Sequence, residues 1–208
     1  MSDKVAEHVR IRWEASQRIE LLTAEALNVS ASAMARMEQA GHLERVAPGV
    51  YIGVGHAQHP LIEAAAWACR HEQAVACLLT AAVHHELTDA FASGTWLFVP
   101  KGASPPRSQT QSVHVIQTAP RFIDPDHDAA NGIDTIEVHG VALRITGPDR
   151  TTIDMWRYPR RVAREHALEA LRRRRNAKDF RLPPFARLAR RLGAWSRLED
   201  IVQGLALR

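Results

Sequence analysis

Ser30, Ser32, Arg36, Gln39 and Arg45 have the side chains and the spacing of a surface that reads DNA. Arginine bridges O6 and N7 of guanine, glutamine bridges N6 and N7 of adenine, and a small residue such as Ala35 meets a thymine methyl group in the major groove. Ser32, Arg36 and Gln39 stand at i, i+4 and i+7, on one face of a helix. On the same reading Ser30 and Arg45 hold phosphates, contacts that position a protein on the duplex without specifying sequence.

The elements that would present these residues are written around them. Ala24 to Leu27 reads as a one-turn helix, Asn28-Val29-Ser30 as a turn, and Ser30 to Ala40 as a second helix that Ser30 caps and Gly41 ends. Ala33, Met34, Met37 and Ala40 form its apolar stripe, facing Leu27 and Val29. Leu43 to Val46 and Val50 to Ile52 are predicted to pair as a hairpin through Ala47-Pro48-Gly49-Val50, where Pro and Gly suit a type II turn. This is the layout of a winged helix-turn-helix, with double-stranded DNA as the leading partner. The same layout also serves packing or dimerisation, since a fold does not fix function.

Charge divides the chain. Residues 1 to 55 carry six Lys and Arg against seven Asp and Glu, a net of −1, whereas DNA affinity comes mainly from neutralised phosphates. From Val141 to Arg208 there are seventeen Lys and Arg against seven Asp and Glu, a net of +10, which leaves −6 for residues 1 to 140. A basic surface of that kind serves either DNA or an acidic partner. Its densest parts are Arg160, Arg161 and Arg164 and the run Arg172-Arg173-Arg174-Arg175, tentative partner- or phosphate-binding residues. The run also complements a helix C-terminus, with Glu169 beside it, and its replacement by Gln is expected to leave folding intact.

With 208 residues and 46% apolar content the chain can bury a full core, as a small head and a larger body. No apolar stretch approaches the twenty residues of a membrane span and the N-terminus has no signal-like hydrophobic region, so a cytoplasmic protein is expected. Cys69 and Cys77 read as small core residues. Beyond the hairpin, helices are predicted from Pro60 to Cys69 and Thr80 to Leu87, with a stop at Ala92-Ser93-Gly94. Strands follow at Trp96 to Val99, Val113 to Gln117, Thr135 to His139 and Val141 to Thr146, the last two joined by His139-Gly140. Lys101 to Thr110 and Ala119 to Gly132 read as surface loops. Helices then run from Pro148 to Trp156, Pro159 to Arg175, Pro184 to Leu192 and Ser196 to Leu205.

Other strings look like chemistry and have plainer explanations. Arg150-Thr151-Thr152-Ile153-Asp154 is expected to be a helix start capped by Asp149 or Thr151, with an exposed Arg150–Asp154 pair adding a few tenths of a kcal/mol. Asp124-Pro125-Asp126-His127-Asp128 lacks the Gly and distal Glu of an EF-hand. His56 with His59, and His84 with His85, have no further ligands at zinc spacing, so no metal is expected. No P-loop, GxSxG or GxGxxG occurs, so neither a cofactor nor enzymatic activity is expected.

Four stretches are similar to the AbiEi-type antitoxins and transcriptional regulators of type IV toxin-antitoxin systems: the segment ending Gly49-Val50-Tyr51, Leu79-Thr80-Ala81-Ala82-Val83-His84-His85, Pro148-Asp149-Arg150-Thr151-Thr152-Ile153-Asp154, and Ala167-Leu168-Glu169-Ala170-Leu171. The resemblance implies an N-terminal domain that represses its own operon at inverted repeats, and a C-terminal domain that counteracts a nucleotidyltransferase-like toxin encoded beside it. The chain departs from the pattern at Glu86, where glycine is expected before Leu87. Some relatives continue into an endonuclease-like domain not found in this sequence, so nuclease chemistry is not expected. The reading is therefore an α+β protein: a winged helix-turn-helix over residues 1–55, then a mixed α/β antitoxin domain over 56–208 with a small sheet, several helices and a basic helical end. A homodimer on a two-fold operator is expected. The alternatives are a stand-alone winged-helix repressor and an enzyme acting on nucleic acid or on the toxin.

Overall fold

Ser30 and Gly41 end the helix they bracket, as their chemistry predicts. In the computed structural model, which describes residues 14–90, 94–103 and 113–204, helix α1 spans Ala31–Gln39 and the Ser30 hydroxyl accepts the Ala33 N–H. Met34 and Met37 are buried with Leu22, Leu43 and Tyr51, and Leu27 and Val29 pack on that cluster. Ahead of α1 lies strand β1, Leu22–Thr23. The expected short helix at Ala24–Leu27 is a single hydrogen-bonded turn instead: Val29 N–H returns to Ala24 O and Asn28 N–H to Glu25 O. Asn28, at φ 51, supplies the left-handed residue that such a stop requires, so the helix closes before it can propagate.

Strands β2 (Leu43–Ala47) and β3 (Val50–Gly53) follow. They pair antiparallel in a three-stranded sheet of order β1-β3-β2. Gly49, at φ 75, occupies the turn position that calls for a left-handed residue. Helix α2 (Ile62–Ala68) is buried from Ile62 to Ala68 except at Glu63 and packs against β2.

The chain forms two compact units. Among the described residues the first holds 14–72 and 137–143; the second holds 73–90, 94–103, 113–136 and 144–204. Helix α2 falls in the first of these units, which meets the second at Glu72/Gln73. His139 also belongs to that unit, where its carbonyl accepts the Leu21 N–H and its ring meets His59 edge-on at 5.8 Å.

A five-stranded sheet has the order β6-β5-β4-β8-β7. Its strands are β4 (Val75–Ala76), β5 (Thr95–Pro100), β6 (Val113–Thr118), β7 (Ile133–Val138) and β8 (Val141–Thr146). The sheet is mixed, with β4 antiparallel to β5 and parallel to β8, and β5 parallel to β6. His139-Gly140 joins β7 to β8 as expected. Helix α3 (Leu78–His84) packs on β5 and on α5, which spans Pro148–Arg157. Helices α6 (Arg164–Asn176), α7 (Leu182–Arg191) and α8 (Trp195–Gly204) complete the second unit. Ile153, Leu171, Phe185 and Leu198 form one of its cores; Val75, Phe98, Met155 and Ala170 belong to another.

The fold departs from the sequence pattern at three places. Ala119 to Gly132 is a folded segment, not a surface loop. It holds 3-10 turns at Pro120–Phe122 and Pro125–His127 and helix α4 at Asp128–Asn131, with Ile123 and Asn131 buried. Arg144 pins it, donating from Nε and Nη2 to both Asp128 oxygens at 2.8 and 2.5 Å. The helix expected from Pro159 begins only at Arg164, because Pro disfavours helical backbone at Tyr158, which closes α5 at φ −116. The N-cap of α5 is Gly147, with no side-chain cap from Asp149 or Thr151. The expected stop at Ala92-Ser93, residues 104–110 of the expected loop, and Leu205 lie outside the described residues.

Glu86 ends α3 at φ 56, with Leu87 N–H returned to Ala82 O and Glu86 N–H to Val83 O. This is the stop that glycine commonly fills. Left-handed backbone costs an ordinary residue about 1–2 kcal/mol, partly offset by the lower unfolded-state entropy relative to glycine. Glu86→Gly is therefore expected to stabilise the protein by about 0.5–1 kcal/mol. A melting temperature unchanged or lowered in calorimetry would refute this.

Candidate functional site

Ser32, Arg36 and Gln39 are all exposed on α1, opposite the buried Met34 and Met37. The amphipathic pattern fixes this: two methionines anchor the helix, which turns i, i+4 and i+7 outward. Arg36 has no side-chain ion pair among the described residues, whereas Ser32 shares a 2.9 Å hydrogen bond with Ser30. Ser30 caps the helix and is a structural residue whatever else it holds. Arg45 is also engaged, donating to Glu38 at 2.5 Å with its guanidinium 5.4 Å from the Tyr51 ring centre. The Glu38 hydrogen bond raises its pKa further. Its side chain remains 47% exposed, so a phosphate would compete with Glu38 for it.

The Arg150–Asp154 string lies wholly inside the second unit. Both side chains of the pair are 0% exposed, against the expectation of a surface pair, and Arg150 Nε donates to Asp154 Oδ2 at 2.5 Å. Arg150 Nη1 donates to Asn131 O at 2.6 Å, and Arg157 Nη1 donates to the other Asp154 oxygen at 2.5 Å. Thr151 Oγ1 donates to Thr146 O, and Thr152 Oγ1 to Pro148 O. The string is a buried bracket that ties α5 to α4 and β8.

The basic residues of the C-terminal part separate into different roles. Arg160, Arg161, Arg164 and Arg172 are exposed and form no ion pair among the described residues. Arg160, Arg161 and Arg164 come together on one cavity wall with Arg157 and Arg197. The run Arg172 to Arg175 is split by the helical period. Arg173 pairs with Asp89 and Glu169, holding Asp89 below the usual carboxylate range. Arg174 is buried between Asp149 and Asp179, at 2.5 and 2.7 Å. The expectation that all four can be replaced without affecting the fold is thus corrected at Arg174. Arg157 lies in the sequence cluster Arg157-Tyr158-Pro159-Arg160-Arg161, whereas nothing near Arg197 in sequence signals its place.

Asp124 accepts from the Asp126 N–H and from His127, and Asp128 is held by Arg144, so those carboxylates have internal partners. His85 Nε2 lies 2.8 Å from Thr146 O, and burial lowers its pKa. Among the described residues no group of three or more His, Cys, Asp or Glu is placed to hold a metal ion. Cys77 is buried and Cys69 half-buried, and burial raises both thiols. Among the described residues no helix is long and apolar enough to cross a membrane.

No protein-family model matches the chain, and no curated protein matches it. Among solved structures it is similar to the RV2827C protein from Mycobacterium tuberculosis, with a TM-score of 0.64 and 16% identity over 95% of this chain and 76% of that one. At that identity the likeness shows a shared α+β fold and nothing about activity.

Proposed function

We propose that the protein is a DNA-binding regulator of the antitoxin type. Its first unit, arranged as a winged helix-turn-helix, reads inverted repeats in operator DNA and represses its own operon. Its second unit counteracts a nucleotidyltransferase-like toxin. The observation that carries the DNA half is the outward row Ser32, Arg36 and Gln39 on α1, beside the β2–β3 hairpin and anchored by Met34 and Met37. The toxin half is supported by the resemblance of the four sequence stretches.

Arg36 is the residue to remove, because a bidentate arginine–guanine contact supplies about 1–3 kcal/mol of discrimination. In fluorescence anisotropy over a salt series, the protein is expected to prefer its own upstream DNA to a scrambled duplex. Arg36→Ala should reduce that preference by the corresponding roughly 5- to 150-fold. Equal binding of both duplexes by the unaltered protein would remove the sequence-reading role. Failure to co-purify with the product of the neighbouring gene would remove direct toxin binding.

A further inference from the structure

The second unit contains a cavity of about 740 Å³ between the end of α5, the Tyr158–Val162 turn, the start of α6 and α8. Its volume lies within the roughly 300–1,000 Å³ of sites that enclose small molecules. Five arginines line it, and no Asp or Glu does. Among the described residues only Arg157 of these five has an acidic partner, Asp154, and its guanidinium lies 5.0 Å from the Phe122 ring centre. Arg160, Arg161, Arg164 and Arg197 are exposed without ion pairs among the described residues. Concentrating uncompensated guanidinium groups around one hollow favours a multiply charged anion, and their planar forks match phosphate oxygens two at a time. Helix α6 begins at this wall with no side-chain cap, but Glu165 in its first turn offsets the positive end of the helix, so the arginines alone set the sign of the field.

The rest of the lining is of opposite character. Trp156 and Tyr158 present rings, and both are held in place. Trp156 Nε1 donates to Ala167 O at 3.2 Å, and the Tyr158 ring lies 5.5 Å from that of Phe98. Val162 and Ala167 extend this apolar side. A site half cationic and half aromatic matches a molecule that joins a phosphate chain to a flat ring. An inorganic anion would leave the rings unused. We propose that this cavity binds a free nucleoside phosphate. The proposal goes beyond the DNA reading and does not rest on it.

The test is calorimetric titration of the full chain with ATP, GTP, CTP and UTP, and with adenosine and tripolyphosphate as part-ligands. At least one nucleotide is expected to bind saturably at one site, with each part-ligand at least about tenfold weaker, a difference of about 1.4 kcal/mol. Arg160→Gln, Arg161→Gln and Arg164→Gln together should weaken that nucleotide by at least about tenfold, since each removes a charge-assisted hydrogen bond. Arg197→Gln, on a different helix, should weaken it in the same direction. Arg36→Ala should leave nucleotide affinity unchanged, which separates a failure here from a failure of DNA reading. No saturable binding up to about 1 mM, a Kd weaker than the range of ordinary specific ligands, would overturn the proposal. So would tripolyphosphate binding as tightly as the nucleotide, or unchanged affinity in both arginine variants.

Discussion

Replacing Asp154 by Asn is expected to destabilise the protein by about 3–5 kcal/mol, the range for removing one partner of a buried ion pair. Asn keeps the shape and removes the charge, so the loss isolates electrostatics from packing. Arg150 would remain at 0% exposure without its carboxylate, retaining only carbonyl partners such as Asn131 O. One carboxylate also serves Arg157, so two guanidinium groups lose their charged acceptor together. For a chain of this size the melting temperature should fall by roughly 10 °C. Replacing both members by apolar residues, Arg150→Met with Asp154→Leu, should cost less than Asp154→Asn alone, because no charge is left buried. A fall below about 3 °C in Asp154→Asn, equivalent to about 1 kcal/mol, would mean that the bracket does not hold the unit together.

Arg174→Gln should have the next largest effect on stability, and it should contrast with its neighbour. The Arg174 side chain is 7% exposed, joins Asp149 on α5 to Asp179 beyond α6, and lies 5.7 Å from the Phe180 ring centre. Charged hydrogen bonds contribute about 1.5–3 kcal/mol each when shielded, but Asp179 is 72% exposed, so its share is discounted for solvent screening. The expected loss is about 2 kcal/mol. Arg172→Gln, on the exposed face one residue period away, should stay within about 0.5 kcal/mol of the parent. A second readout tests the contact itself. The Arg174 hydrogen bond holds Asp179 below the usual carboxylate range, so its stabilising effect is present above the ordinary pKa and is lost as pH falls through the depressed one. In Arg174→Gln the Asp179 carboxyl, followed by NMR, should move back up toward the ordinary aspartate range. Equal melting temperatures for the two variants, or an unmoved Asp179 titration, would place Arg174 outside the structural framework.

The two predictions concern residues whose types were legible and whose surroundings were not. Arg150 and Asp154 stand four apart on a helix, which is enough to expect a pair. That the pair is buried depends on α4, β5 and β8 closing over α5, and those elements are distant in the chain. The arginine run suggested a single basic surface, yet the turn of α6 sends Arg173 to Asp89 and Arg174 to Asp149, 84 and 25 residues away. Likewise Arg164 and Arg197 reach one cavity only because α6 and α8 pack in the same unit.

What the sequence determined by itself was local. Ser30 and Gly41 bound α1, Gly49 turns the β2–β3 hairpin, His139-Gly140 joins β7 to β8, and prolines open α5 and α7, because each of these depends on hydrogen bonds and backbone preferences spanning a few residues. The tertiary structure decided the rest. Two-residue strands such as Leu22–Thr23 and Val75–Ala76 have too few side chains for a period to register, and exist because neighbouring strands supply their hydrogen bonds. The segment from Ala119 to Gly132 has the composition of a loop and folds because Arg144 and a buried Asn131 give it partners. Burial and charge pairing, unlike a cap or a turn, are properties of residues brought together from far along the chain, and no short stretch of sequence contains both partners.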